Sequence, residues 1–560
     1  MKRPAATDTD VYLVAQIAAA VSIAAFLYFL RHDELALFGD AVAHMNIARR
    51  VIDSRTPGPL QLGTVWLPLP HLLMLPFMAS RSLWRTGMGG SFPSMLAYVL
   101  SVTGIFRLVR VVLPEPADAR ARRVVRFTSW LAAACFALNP NVIYLQTTAM
   151  TEPIYLAFFI WTVTFFSQAL RACQSGDSSL ANKTLLRAGF CLAAASLTRY
   201  DGWFLAVLIA VIAIALALTP KFASIRPGVV KFTILAAAAP ALWLSYNAAV
   251  YGNPLEFANG PYSARAIDQR AAVPGSPPHP GSDNLKTSFH YFFKAAQLNL
   301  AAGKTFEHDP GTGTRALQAL WVAALLFGTV IVVLFQRKLW PVLLLWAPVP
   351  FYTLSIAHSS VPIFIPVWWP YSYYNARYGV EMLPAFSVLV AIAAYGLIRF
   401  VATTRAALVI GGCFVVLPAI TYLHALNSGV VIYQEAVVNA RSRVALEKQL
   451  ASILANFPAD ATYLMYLGEH PGALQRADIP LSHVINEGNH RPWMRPSDPD
   501  GLWEKALAHP AAYADYVIAT GSDAVAKNVN QDELQSLMVL HVTGQPAATI
   551  YKTQKGNQPR

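Results

Sequence analysis

GDAVAHMNIARRVIDSRTPGPLQLGTVWLPLPH, residues 39–71, follows the first long apolar run of the chain and puts polar groups where the flanking sequence suits lipid. At about 100° per residue, Asn46, Arg49, Arg50 and Asp53 share one arc of a helix. Ala41, Met45, Ile47, Ala48, Val51 and Ile52 share the other. The pattern predicts an amphipathic helix lying on a surface. Asp40 and His44 depart from it, since both project from the apolar arc, one turn apart. Ionisable groups turned toward lipid or packed protein are costly, and where they occur they usually serve function. The structural alternative is that Asp40 simply caps the helix N-terminus, a place where Asp is favoured.

The rest of the chain sets this stretch in a membrane. Of 560 residues, 55% are hydrophobic and 13% charged, with a mean hydropathy of +0.41. Those values exclude an ordinary soluble enzyme and predict an α-helical polytopic membrane protein. Apolar runs near the roughly 20 residues needed to cross a bilayer recur to about position 425, after which polarity rises. A transmembrane region, 1–425, and a soluble domain, 426–560, are therefore expected. The net charge of +13 is dispersed, which suits cytoplasmic loops and anionic lipid and gives no nucleic-acid signature. Cys135, Cys173, Cys191 and Cys413 show no metal-ligand spacing. The run 11–30 after MKRP is long for a signal peptide and lacks a small-residue cleavage site, so it is expected to be an anchor.

Basic clusters give the orientation, because Lys and Arg accumulate on the cytoplasmic side. ARARRVVR, 119–126, is the strongest. With it inside, segment 65–79, about 15 residues long and carrying Pro68, Pro70 and Pro76, is a re-entrant or juxtamembrane piece. Eleven crossings follow: 11–30, 91–113, 127–145, 152–170, 186–199, 203–219, 229–250, 317–336, 339–357, 379–398 and 406–424. The N-terminus is then cytoplasmic, and the loops 31–92 and 251–316 and the C-terminal domain lie outside. Periodicity in RSRVALEKQLASILANF and short apolar runs such as TYLMYL and DYVIAT make that domain α/β. The loop around PGSPPHPGSD, 274–283, suits a mobile cover over a site. Arg49, Arg50, Arg55, Arg81 and Arg85 run against the bias, either facing an anionic ligand or anchoring at the interface.

Four polar motifs end near the outer boundary: Asp40 with His44, Glu152 in TAMTEPIY, Arg199 with Asp201 in SLTRYDGW, and Arg377 with Tyr378 in YNARYGVEMLP. Each has a plainer reading. Glu152 suits a helix N-terminus beside Pro153, Arg199 and Asp201 could pair with each other, and Arg377 could belong to an aromatic interfacial belt. His71, between Pro70 and an apolar run, suits either packing or substrate contact.

The arrangement resembles the GT-C superfamily of polyprenyl-phosphate-sugar-dependent glycosyltransferases, in particular the protein O-mannosyltransferase and aminoarabinose transferase class. GDAVAHMNIARR, WLPLPHLL, TEP, TRYDGW and ARYGVEMLP carry the resemblance, through their order and placement. It implies that Asp40 matches the first-loop catalytic carboxylate, Glu152 the second acidic position, and Arg377 a ligand of the donor phosphate. Members often have two adjacent acids in the first loop, whereas Ala41 follows Asp40 here.

The expectation is a membrane glycosyltransferase with Asp40 and Glu152 catalytic and His44, His71, Arg199, Asp201, Arg377 and Tyr378 binding substrate. It would move a sugar, with inversion, from a polyprenyl-monophosphate carrier to a lipid, glycan or protein acceptor at the outer face of a bacterial inner membrane. No cofactor or metal is required, although Asp40 and Glu152 together could hold a divalent cation. A lipid transporter is the rival; it would place polar groups near mid-membrane and show symmetry between halves, and no internal repeat is visible.

Overall fold

The structure is a computed structural model that describes residues 8–114, 116, 118–271, 275, 277–303, 309–358, 361–401, 403–468, 470–489 and 501–554. Its helices that matter here are α1 (Asp8–Arg31), α2 (Gly39–Ile52), α3 (Leu69–Met78), α4 (Met88–Val112), α5 (Ala119–Ala137), α6 (Glu152–Gln174), α7 (Ser178–Ser196) and α8 (Asp201–Leu218). They continue as α9 (Arg226–Tyr251), α10 (Leu285–Leu298), α11 (Gly311–Val330), α12 (Pro348–His358), α13 (Leu383–Phe400), α14 (Thr404–Ser428) and α15 (Val431–Leu454).

Among the described residues, nine helical stretches are long and apolar enough to cross a membrane. The two further crossings expected at 127–145 and 186–199 correspond to α5 and α7, of 19 residues each. Both begin earlier than expected, because the basic run 119–126 and the polar turn after Asp177 are themselves helical. Asp118 and Asp177 cap them, accepting from the Ala121 and Leu180 amides at 2.7 and 2.9 Å. Their polar first turns leave each with a shorter apolar stretch. Segment 65–79 contains only the ten-residue α3, about 15 Å at helical rise and half a hydrocarbon core.

After α15 the chain forms a five-stranded sheet: β1 (Tyr463–Met465), β2 (Val484–Ile485), β3 (Tyr516–Thr520), β4 (Leu534–Leu540) and β5 (Ala548–Thr553), in the order β2-β1-β3-β5-β4. β1 pairs in parallel with β2 and β3, and β5 is antiparallel to β3 and β4.

This sheet unit corrects the picture of α2 as a surface helix. Its polar arc is largely covered too, with Asn46 and Arg49 buried and Arg50 and Asp53 half-buried, and the C-terminal segment lies against it. Asn46 donates to Gln475 Oε1 at 3.3 Å, Gln475 donates to the Trp84 carbonyl at 2.5 Å, and Asp53 accepts from the Leu481 and Ser482 amides at 3.3 and 3.0 Å. Arg49 turns inward to Asp53 and the Met78 carbonyl, and Arg81 pairs with Asp478. Those two arginines of the loop 31–92 thus have partners within the protein.

Burial raises the Asp53 carboxyl, but hydrogen bonds from Ser482 and the Arg49 charge outweigh it and hold the group below its ordinary value. A carboxyl with a lower folded pKa stabilises above its unfolded value and loses that contribution as pH falls through the folded one. The α2 contact with the sheet unit is therefore expected to loosen below about pH 4. Hydrogen exchange checks this: the Leu481 and Ser482 amides should lose protection there before those of β3, and simultaneous loss would contradict it.

The loop 251–316, expected to be a cover, contains the packed helix α10, with Tyr291, Phe292 and Ala295 buried. Phe292 stacks on Tyr352 at 4.6 Å. Positions 272–274, 276 and 304–308 of that loop lie outside the described residues.

Candidate active site

Two close backbone approaches bring the motifs together. A Cβ on Gly202 would lie 2.6 Å from the Ala195 carbonyl carbon, so only glycine lets α7 and α8 meet in the tight hairpin that presents Arg199 and Asp201. Gly379 likewise lets the helical turn Ala376–Met382, which precedes α13, rest on α10, where a Cβ would come 2.4 Å from Ala295. That turn carries Arg377 and Tyr378.

Arg377 is the hub. Its Nε donates to Glu152 Oε1 at 3.1 Å, Nη1 to Glu435 Oε1 at 2.8 Å and Nη2 to Asp40 Oδ2 at 2.5 Å. Its backbone amide donates to the other Glu435 oxygen at 3.0 Å. Among the described residues these bonds engage three of the five guanidinium N–H groups. Asp40 lies in the first turn of α2, behind Phe38 as N-cap, and its carboxylate goes to Arg377 instead of capping the helix.

Arg199 is the second hub. Nε donates to Asp201 at 3.1 Å and lies 3.3 Å from Glu381, Nη1 donates to Glu152 Oε1 and Thr151, and Nη2 to the Tyr352 hydroxyl at 2.9 Å. The Tyr352 hydroxyl lies 2.7 Å from Glu381 and 3.0 Å from Asp201, and its single proton serves one of them at a time. Tyr378 lies against both guanidiniums, its ring centre 4.9 Å from Arg199 and 5.1 Å from Arg377. Five carboxyls thus face two guanidiniums, giving the cluster an acidic excess.

Exposure separates the members. The Asp40 side chain is 42% accessible, against 0% for Glu152 and 1% for Glu435, with Arg377 at 8%. The cluster opens outward through Asp40. Glu152 has no free face for a substrate and binds both arginines through one oxygen. Arg377 also stands between Asp40 and Glu152, the pair expected to be able to hold a divalent cation, and supplies positive charge there itself. Among the described residues, no group of three or more His, Cys, Asp or Glu could hold a metal ion.

His44 and His71 are brought together as well, but with each other: Nδ1 of His44 lies 2.9 Å from Nε2 of His71, and both rings are buried. His44 also packs on Trp66 at 4.6 Å. Burial first, then the charges of Arg377 and Arg199, lowers His44 to about 3. Burial, with His44 and Arg50, holds His71 well below the usual imidazole range. Both are neutral at pH 7, a support between α2 and α3. Groups with lowered folded pKa stabilise above their unfolded value, so acid below about pH 6.5 removes this contribution. The ring nitrogens, followed by NMR with labelled histidine, should remain neutral down to pH 5 or until the fold is lost; titration near pH 6 in the folded protein would refute this packing.

Glu381, Tyr352 and Glu435 join the cluster without belonging to the residues that the sequence singles out. Glu381 lies in ARYGVEMLP, four residues after Arg377 at the entry to an apolar span, and that placement was its available signal. Tyr352 inside an apolar helix and Glu435 in α15 carry none.

The profile of the family described as dolichyl-phosphate-mannose-protein mannosyltransferase matches residues 119–246, a segment that includes Glu152, Arg199 and Asp201. No curated protein matches the chain in sequence. Among solved structures, the chain is similar to ArnT from Cupriavidus metallidurans bound to undecaprenyl phosphate, with a TM-score of 0.54, 12% identity, and coverage of 99% of this chain and 100% of that one. The apo state of the same protein gives 0.52 and 11% over 99% and 100%. The Archaeoglobus fulgidus oligosaccharyltransferase, with an acceptor peptide tethered, gives 0.45 and 13% over 99% and 75%. By its helices, its C-terminal sheet and its likeness to ArnT, the chain is a multi-pass membrane protein with the GT-C fold.

Proposed function

We propose that the protein transfers a sugar from a polyprenyl-monophosphate carrier to an acceptor hydroxyl or amine, with inversion at the anomeric carbon and Asp40 as general base. The observation that carries this reading is the half-open Asp40 carboxylate at the edge of an otherwise buried cluster, held by a guanidinium. A base must reach the acceptor proton, and Asp40 is the acid of the cluster with substantial open surface. The undecaprenyl phosphate bound to ArnT, whose fold this chain shares, supports the donor class.

The acceptor oxygen or nitrogen attacks the anomeric carbon from the face opposite the phosphate. Its proton passes to Asp40, and the electron pair of the breaking C–O bond leaves on the lipid phosphate. General-base help of this kind contributes about 10²–10⁴ in rate. Charge that becomes positive at the sugar ring meets the acidic excess of the cluster, and Arg377 offsets the charge arriving on the phosphate. Glu152 and Asp201 orient the two arginines, and Arg199 supports Glu152.

In this reading the motifs sit at the extracytoplasmic ends of their helices in a bacterial inner membrane, with the N-terminus cytoplasmic, 1–425 as the catalytic membrane domain and 426–560 as a periplasmic α/β domain. The test is incubation of the purified protein with a panel of polyprenyl-monophosphate sugars and an acceptor extract, scoring liberated polyprenyl phosphate. Release from one donor is expected; folded protein that releases lipid phosphate from none would overturn the proposal.

A further inference from the structure

Glu435 comes from α15, the helix that leads from the last span into the sheet unit, yet its carboxylate lies in the cluster. Among the described residues it is the one side chain that grips Arg377 at two points, one oxygen on the backbone amide and the other on Nη1. The same helix is fixed to the body at regular spacing. Asn439 donates to the Tyr373 carbonyl at 3.0 Å, and Arg443 to the Leu37 carbonyl at 2.7 Å. Residues four apart fall on one helix face, so a single face of α15 addresses both the Arg377 turn and the loop before Asp40.

Two of the three guanidinium nitrogens are thereby held by carboxylates with almost no exposure, and Nη2 alone faces a half-open one. We propose that Glu435 is a positioning residue of the transfer reaction, fixing Arg377 so that Nη2 is the nitrogen that meets the departing phosphate beside Asp40. The inference rests on the donor reading above. Charges follow from that step. Before transfer, Arg377 balances the Asp40 carboxylate. As Asp40 takes the acceptor proton and becomes neutral, the phosphodiester becomes a monoester with one more negative charge, and the same guanidinium answers it without leaving Glu152 or Glu435. A guanidinium suits this role because its donors are rigidly arrayed in one plane.

The test is Glu435→Gln in the full-length protein. An amide keeps one acceptor and sets an NH2 against the second donor, so the turn loses one of its two ties. The expected result is a fall in kcat of about 10–100-fold, a fraction of the loss seen when an oxyanion donor is removed outright. Binding of sugar-free polyprenyl phosphate should weaken about tenfold, while the acceptor KM stays unchanged. Glu435→Asp, with a carboxylate about 1.5 Å shorter, keeps the charge and one of the two bonds, and should recover part of both losses. A merely structural Glu435 would lower the melting temperature and the active fraction with kcat per folded molecule and lipid-phosphate affinity unchanged, and that result overturns the proposal. Wild-type binding of polyprenyl phosphate with Glu435→Gln binding equally well overturns this inference alone. Failure of the wild type to bind removes the donor reading and this inference with it.

Discussion

Asp40→Asn is expected to lower sugar transfer by at least about 10²-fold, and up to about 10⁴-fold, while leaving the protein folded and inserted. The substitution keeps the size of the side chain and one oxygen that can accept from Arg377 Nη2, so the cluster stays assembled. What it removes is the ability to take a proton. Because the Asp40 side chain is well exposed, its pairing with Arg377 contributes little to stability by comparison with the buried pairs. The measurement is turnover of a polyprenyl-phosphate sugar beside a melting curve in detergent. Near-normal turnover would remove Asp40 from the chemistry.

Arg377→Ala is expected to act first on the fold. It leaves Glu435 with only the backbone amide of residue 377 and no cation, and Glu152 with Arg199 alone, both in positions with almost no solvent. Stranding a buried partner in this way costs about 3–5 kcal/mol, a large part of the stability of an ordinary domain. Arg377→Lys should recover little of it, since one ammonium cannot address three carboxylates in fixed directions. Thermal unfolding is the check, with donor use measured on whatever protein remains folded. A variant as stable as the wild type would show that Glu435 and Glu152 do not depend on this guanidinium.

Much of this centre is legible in the sequence because local patterns set it. The apolar lengths give the spans, and TRYDGW falls where the short run expected at 186–199 turns back into the one at 203–219. The runs TYLMYL and DYVIAT appear as β1 and β3, and RSRVALEKQLASILANF lies largely within α15. Asp40, Glu152, Arg199, Asp201, Arg377 and Tyr378 meet because each is at or near a helix end.

What periodicity cannot show is what covers a face. The arc of Asn46, Arg49 and Asp53 reads as solvent-exposed from its own neighbours, and the residues that bury it, Gln475 and Ser482, are more than 400 positions away. Glu435 escapes for the same reason, since in sequence it is an acid in an amphipathic helix beyond the last span. His44 and His71 invite a substrate role when read singly. Only the fold shows that the two rings pair with each other.

The central claim is that lipid phosphate is bound and released beside Asp40, on the open edge of the Arg377 cluster. A cryo-EM structure of the protein in lipid nanodiscs with a sugar-free polyprenyl phosphate tests it most directly. The account predicts the phosphate within hydrogen-bond distance of Arg377 Nη2, with the Asp40 carboxylate facing the space the sugar would fill. Phosphate density away from Arg377, or Asp40 sealed from it by protein, would contradict the account.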